Sequence, residues 1–385
     1  MTGGAATGTA AAAKRPGWRD VLRSLRQRKV AAMLLLGFAS GPPLYLVGNT
    51  MGYWMRDGGS DLSAIGFLSW VGLAYTLKFV WAPIIDKTHV PLLGRLGHLR
   101  GWMLLSQMVV AAGLIGMAVI RPEGGLVTFG VMALIAAFAS ATQDIVIDAW
   151  RIEISENGEE LGLLSASSQL GYRTALLVTD ALILILAAHI GWAPSYWVMA
   201  LLMGVGMIAV FLAHEPVRKL APGGLQSVPI LWTARGVFDA IIGPFIAFFR
   251  AHGKLALLML LAISLYRMPD FVMGPMANPF YKDIGLTKDM VGEVRASIGL
   301  IASLCGIAMG GLSAVRFGLA PTLLAGAVLG PGSNAAFAWL AHQEPTMTNF
   351  AIAMVIDNIS TGFAGTALVA YMSSLTSAGY TATQY

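Results

Sequence analysis

Apolar residues fill this chain in long runs, broken by short polar or charged stretches. A helix that spans a bilayer needs about 20 mostly apolar residues. On that measure the pattern predicts ten complete spans: Val30–Trp54, Ile65–Ile85, Gly101–Ile120, Val127–Trp150, Leu161–Ile190, Ser195–Ala213, Lys254–Phe280, Met290–Val315, Ala320–Ala341 and Phe350–Leu375. Tyr380 to Tyr385 reads as a turn entering an eleventh. The fold class is therefore an all-α polytopic membrane protein.

One connection is long. Residues 214–253 begin Pro/Gly-rich and then turn amphipathic, with Ile230, Leu231, Ala234, Val237, Phe238, Ile241, Ile242 and Phe245 at helical spacing. This predicts a helix lying in the membrane interface. It divides the chain into a basic tail (1–29), a six-span N-terminal half (30–213), the linker (214–253) and a C-terminal half (254–385) with four complete spans.

The halves echo each other. Pro43, Tyr45, Gly48, Trp54, Asp57 and Gly66 match Pro269, Phe271, Gly274, Phe280, Asp283 and Gly292 at one offset (269 − 43 = 226). Internal duplication of this size is typical of secondary transporters, which bind their cargo near midplane between the repeats.

Composition fits the membrane reading. The chain is 56% hydrophobic and 12% charged, against about 25% charged for a soluble globular protein. The net charge of +5 follows the loops, so it argues for no nucleic-acid partner. Lys14, Arg15, Arg19, Arg23, Arg26, Arg28, Lys29, Lys87, Arg95, Arg100, Arg151, Arg218, Lys219, Arg235, Arg250, Lys254 and Arg316 fall on one side, and Arg56, Arg121, Lys282 and Lys288 on the other. The positive-inside rule then sets the N-terminus in the cytoplasm. Cys305, the single cysteine, reads as a small packing residue.

Candidate chemistry lies in acids kept inside apolar spans. Asp144 and Asp148 stand i, i+4 in the fourth span and so share a helix face. A charge at that depth costs about 3 kcal/mol or more, so such groups face a bundle interior or a wet cavity. Asp144, Asp357 and Asp270 are the proton-coupling candidates, and Lys78, Arg173 and Arg267 their charge partners. Arg267 and Asp270 are i, i+3 and could pair. Asp180 is a further buried acid. For a sugar-peptide ligand the candidate contacts are Tyr45, Asn49, Trp70, Tyr75, Gln143, Gln169, Tyr172, Tyr266 and Asn278. Trp54 and Phe280 read as interfacial belt residues. No metal cluster is expected.

Gly37-Phe-Ala-Ser-Gly-Pro-Pro-Leu44, Ile65-Gly66-Phe67, Lys78-Phe-Val-Trp-Ala-Pro83 with Asp86, Arg100-Gly101-Trp102, Ser140 to Trp150, Gly171-Tyr-Arg173 and Thr383-Gln384 together resemble the AmpG muropeptide permeases of the major facilitator superfamily. The resemblance implies proton-driven import of anhydro-muropeptides across the bacterial inner membrane, with no cofactor beyond the proton gradient and a monomeric carrier. It implies twelve spans, so the last two are expected to be missing here. It also implies a gate latch, in which a loop arginine pairs with an acid at the end of the fourth span. Asp86, Arg95, Arg100, Asp148 and Arg151 are its members here. A related facilitator for another solute, such as an acetyl-CoA-like molecule or a peptide, is the alternative, as is a non-transporting copy. An intramembrane aspartyl hydrolase fits poorly, because Asp144 and Asp148 share one helix and no Gly-x-Gly-Asp motif occurs.

Overall fold

The computed structural model describes residues 26–91, 93–216, 242, 246, 248–253 and 255–376, and all regular structure among them is helical. The N-terminal half begins with α1 (Arg28–Val47) and α2 (Asn49–Asp57), one span interrupted only at Gly48. The second span is α3 (Leu62–Leu68), α4 (Leu73–Leu77) and α5 (Ala82–Lys87), joined by 3-10 turns at Ser69–Gly72 and Lys78–Val80. Then come α6 (His98–Ile120), α7 (Leu126–Ile154), α8 (Gly158–Ile190) and the pair α9 (Trp192–Leu202) and α10 (Gly204–Leu212). The C-terminal half holds α11 (Leu255–Asp283), α12 (Lys288–Val294), a π-helical turn at Arg295–Gly299, α13 (Leu300–Phe317), α14 (Leu319–Leu340) and α15 (Met347–Ser374). Eight of the described helical stretches are long and apolar enough to cross a membrane. The linker pattern from Ile230 onward, apart from Ile242, and the segment Tyr380–Tyr385 lie outside the described residues.

Three features depart from the sequence reading. The second span was expected as one continuous helix; it breaks into short pieces with Phe67, Trp70, Leu73 and Leu77 exposed along it. Trp54 is not a belt residue. It is 3% exposed, stacked 6.3 Å from Trp192, with Tyr196 tilted against it at 4.6 Å and Phe129 edge-on at 5.3 Å. Hydropathy places an aromatic near a span end, but neighbouring helices decide whether its ring meets headgroups or other rings. Cys305 likewise is exposed on its helix rather than packed inside.

Packing within the N-terminal half relies on backbone-to-backbone approach. A Cβ on Gly171 would collide with the Leu34 carbonyl of α1, and one on Gly37 with the Ser168 carbonyl of α8. Helices in lipid gain little from hydrophobic burial, so close small-residue contacts supply much of their attraction. Tyr196 adds a polar tie: its buried hydroxyl donates to the Leu46 carbonyl at 2.7 Å, across to α1.

The helix ends rich in Lys and Arg form one face, the basic end. There the Glu215 carboxylate caps α6, accepting from the Leu99 and Arg100 backbone N–H groups at 2.9 and 3.1 Å. Such a cap satisfies donors that the first helical turn leaves unpaired. The Trp150 indole donates to the His214 carbonyl at 2.7 Å, so the exit of α10 is pinned to α7 as well. At this end the two halves also meet. Gly162 and Ala166 of α8 lie against Ala314 and Gly311 of α13, with no room for an added methyl at either glycine. Leu319 of α14 sits over Gly158, and Val315 joins the buried cluster around Trp150 and Leu164.

Candidate functional site

α7 carries the site because its apolar faces are already committed. Phe129, Ala133, Ala136 and Ala137 build the core toward one end, and Val146, Ala149 and Trp150 toward the other. Between them the polar residues Ser140, Gln143, Asp144, Asp148 and Arg151 sit within three turns of one another.

Asp144 is half-buried. The Ser40 hydroxyl of α1 lies against its carboxylate, and Lys78 and Asp148 are its nearest charges. Tyr75 of α4 and Tyr172 of α8 also lie within its electrostatic reach, and Tyr45 lies near Tyr172. The 3-10 turn at Lys78–Val80 is what brings Lys78 toward α7. It is flanked by Trp81, whose indole donates to the Thr142 hydroxyl at 3.1 Å.

Asp148, one turn on, holds two cations. Arg151 Nη1 lies 3.1 Å from Oδ1 and Lys78 Nζ 4.0 Å from Oδ2. The Arg151 side chain is 2% exposed, and its Nη2 donates to the Ser373 hydroxyl at 3.0 Å. Ser373 belongs to α15, so this arginine reaches into the C-terminal half. Lys78, Asp148, Arg151 and Ser373 form a chain of contacts from the Asp144 neighbourhood to the seam between the halves. Ser140 and Gln143 are fully buried beside it, the serine hydroxyl next to Tyr75, with no protein partner for the glutamine amide among the described residues.

The latch members separate. Arg100 does not reach Asp148: its guanidinium donates to the Val210 and Leu96 carbonyls at 3.0 and 3.3 Å. Arg95 is exposed and Asp86 is buried, 5% exposed. The cation that meets Asp148 from its own helix is Arg151. Sequence spacing made that i, i+3 pair available; tertiary packing carried Arg100 to the end of α10 instead.

The other candidates scatter. Asp357 on α15 accepts from the Ser333 hydroxyl of α14 at 2.9 Å. Tyr266 donates to the Ala364 carbonyl at 3.0 Å, tying α11 to α15. Trp70 is 66% exposed and stacks on Phe67 at 6.1 Å. Gln169 is half-buried on α8, and Arg173 and Arg267 are exposed. The side chains of Asn49, Asp180, Asp270 and Asn278 lie outside the described residues, and with them the expected Arg267–Asp270 pair.

Sequence reasoning passed over Arg295 and Tyr281. The Arg295 guanidinium lies 5.2 Å from the Tyr281 ring centroid. The available signal was a basic residue just inside the apolar run from Met290.

The Major Facilitator Superfamily model matches residues 33–385. The chain is 35% identical over 366 residues to the Anhydromuropeptide permease of Escherichia coli K12, covering 94% of this chain and 71% of that one. It is 31% identical over 368 residues to Putative transporter AmpG 4 of Rickettsia conorii, covering 95% and 86%. The chain belongs to the AmpG permeases of the major facilitator superfamily. Solved structures agree on the fold. The proton:xylose symporter XylE matches with a TM-score of 0.59 at 13% identity, covering 95% of this chain and 86% of that one. The human organic anion transporter MFSD10 matches with 0.59 at 15%, covering 96% and 89%. This AmpG-family member is thus a multi-pass membrane transporter and not an enzyme. Its Asp144 cluster lies in the N-terminal half of a facilitator fold, linked to the other half through Arg151.

Proposed function

We propose that this transporter imports anhydro-muropeptides, the glycopeptide products of peptidoglycan turnover, across the bacterial inner membrane, and that the proton gradient drives it. The observation that carries the substrate assignment is the 35% identity, over 94% of the chain, to the Escherichia coli Anhydromuropeptide permease. The basic end faces the cytoplasm in this reading, with the N-terminus there. The carrier works as a monomer, and its halves, residues 30–213 and 254–385, rock about the bound substrate with no resident cofactor. Because the halves meet at the basic end, the conformation described is closed toward the cytoplasm.

Asp144 carries the coupled proton. Its carboxylate sits beside Lys78, and neutralising it removes one of the anions that Lys78 faces, Asp148 being another. Asp148, Arg151 and Ser373 are the cytoplasmic latch, with Asp86, Arg95 and Arg100 shaping the surrounding loop. Asp357 is the C-terminal counterpart of Asp144, and Asp270 is a further proton-coupling candidate in that half. Tyr45, Asn49, Trp70, Tyr75, Gln143, Gln169, Tyr172, Tyr266 and Asn278 offer aromatic faces and hydrogen-bonding groups to the sugar and peptide.

The test is uptake into proteoliposomes. Labelled anhydro-muropeptide should accumulate only under an inward proton gradient. Asp144→Asn should abolish accumulation while the purified protein keeps its size-exclusion profile. Gradient-driven accumulation by the folded variant would remove Asp144 from the coupling role. Failure of the wild type to accumulate the compound would overturn the substrate assignment.

A further inference from the structure

The proposed proton path gives no task to Arg295. This residue opens the π-helical turn that follows α12, toward the end of the bundle opposite the basic end. A π turn inserts an extra residue into the helix, re-aims the side chains around it, and recurs at functional sites. The side chain is exposed on a helix that continues into a membrane span. A guanidinium turned toward hydrocarbon costs about 3 kcal/mol or more, so it belongs where water reaches it.

The group is held in place. Tyr281 is 4% exposed, with Phe350 at 4.9 Å and Phe337 at 6.0 Å from its ring. Its hydroxyl lies 3.8 Å from Met354 Sδ. The Arg295 guanidinium rests over this fixed ring. The guanidinium also donates to the Tyr281 hydroxyl; with five N–H donors in all, it keeps others with which to bind a carboxylate. Among the described residues no carboxylate oxygen lies within 4.0 Å of it. Asp357, on the facing helix α15, lies within electrostatic reach of Tyr281 and accepts from Ser333.

We propose that Arg295, stacked on Tyr281, is a carboxylate-recognition subsite of the transport cleft and takes the terminal carboxylate of the substrate's peptide. The identity of that peptide rests on the muropeptide reading; the carboxylate chemistry rests on Arg295 and its platform.

Two arms separate the two. In proteoliposomes, uptake of labelled anhydro-muropeptide is compared with uptake of the same compound after its peptide carboxylates are converted to amides. Arg295→Gln should raise KM for the acid form tenfold or more with Vmax nearly unchanged. It should leave the amide form as in wild type, and Arg295→Lys should recover part of the loss. Equal changes for both forms, or none, would overturn the subsite while the muropeptide reading stands. If wild type takes up neither form, that reading fails and the second arm decides. Purified wild type should be thermally stabilised by millimolar tri-alanine but not by tri-alanine amide, and Arg295→Gln should lose the difference. Matching behaviour of the two peptides on wild type sinks the proposal.

Discussion

Gly311 sits where α13 crosses α8 between the halves, and a single methyl there tests whether this seam opens. An added Cβ would fall far inside contact distance of Ala166 Cβ and 3.5 Å from the Gly162 carbonyl. Carbon atoms rest about 3.5–4.0 Å apart, so the two helices must part locally by roughly 1–2 Å. Overpacking of this kind costs about 1–3 kcal/mol. The penalty exists only while α8 and α13 touch, so it falls on the closed conformation and shifts the population by about 5–150-fold. Ser373 gives the readout: it is 1% exposed at the same end, under Arg151. In a Cys305→Ser background, Ser373→Cys should react slowly with a maleimide. Adding Gly311→Ala should raise that rate by fivefold or more. Gly171→Ala is the control, because its methyl would strike the Leu34 carbonyl inside one half. It should lower the yield of folded protein instead of opening the seam. A folded Gly311→Ala protein with an unchanged labelling rate would refute the reasoning, since the seam would then not govern access.

Two further substitutions probe the scaffold. Glu215→Ala removes both acceptors from the α6 N-terminus and should destabilise by about 1–2 kcal/mol, seen as a lower thermal midpoint. Glu215→Gln, which keeps one acceptor oxygen, should lose less. Tyr196→Phe deletes the buried bond to the Leu46 carbonyl and should cost about 1–2 kcal/mol in the same melt; an unchanged midpoint would mean that bond contributes nothing net.

What the sequence determined alone is whatever one dimension can encode. Run length marks spans, because the bilayer sets a minimum apolar length. The cost of a charge in hydrocarbon marks Asp144 and Asp148 as interior, whatever surrounds them. The repeat offset matched Asp57 with Asp283, and α2 and α11 end at those two residues. Only the tertiary structure decided which partners those residues meet. Arg100 and Arg151 look alike as basic residues at span ends, yet one donates to the end of α10 and the other bridges Asp148 to Ser373. Trp54 turned inward and Cys305 outward for the same reason. Lipid tails and helix interiors are equally apolar, so hydropathy cannot tell a lipid-facing side chain from a packed one; the helix crossings, set by where glycines let backbones approach, make that choice.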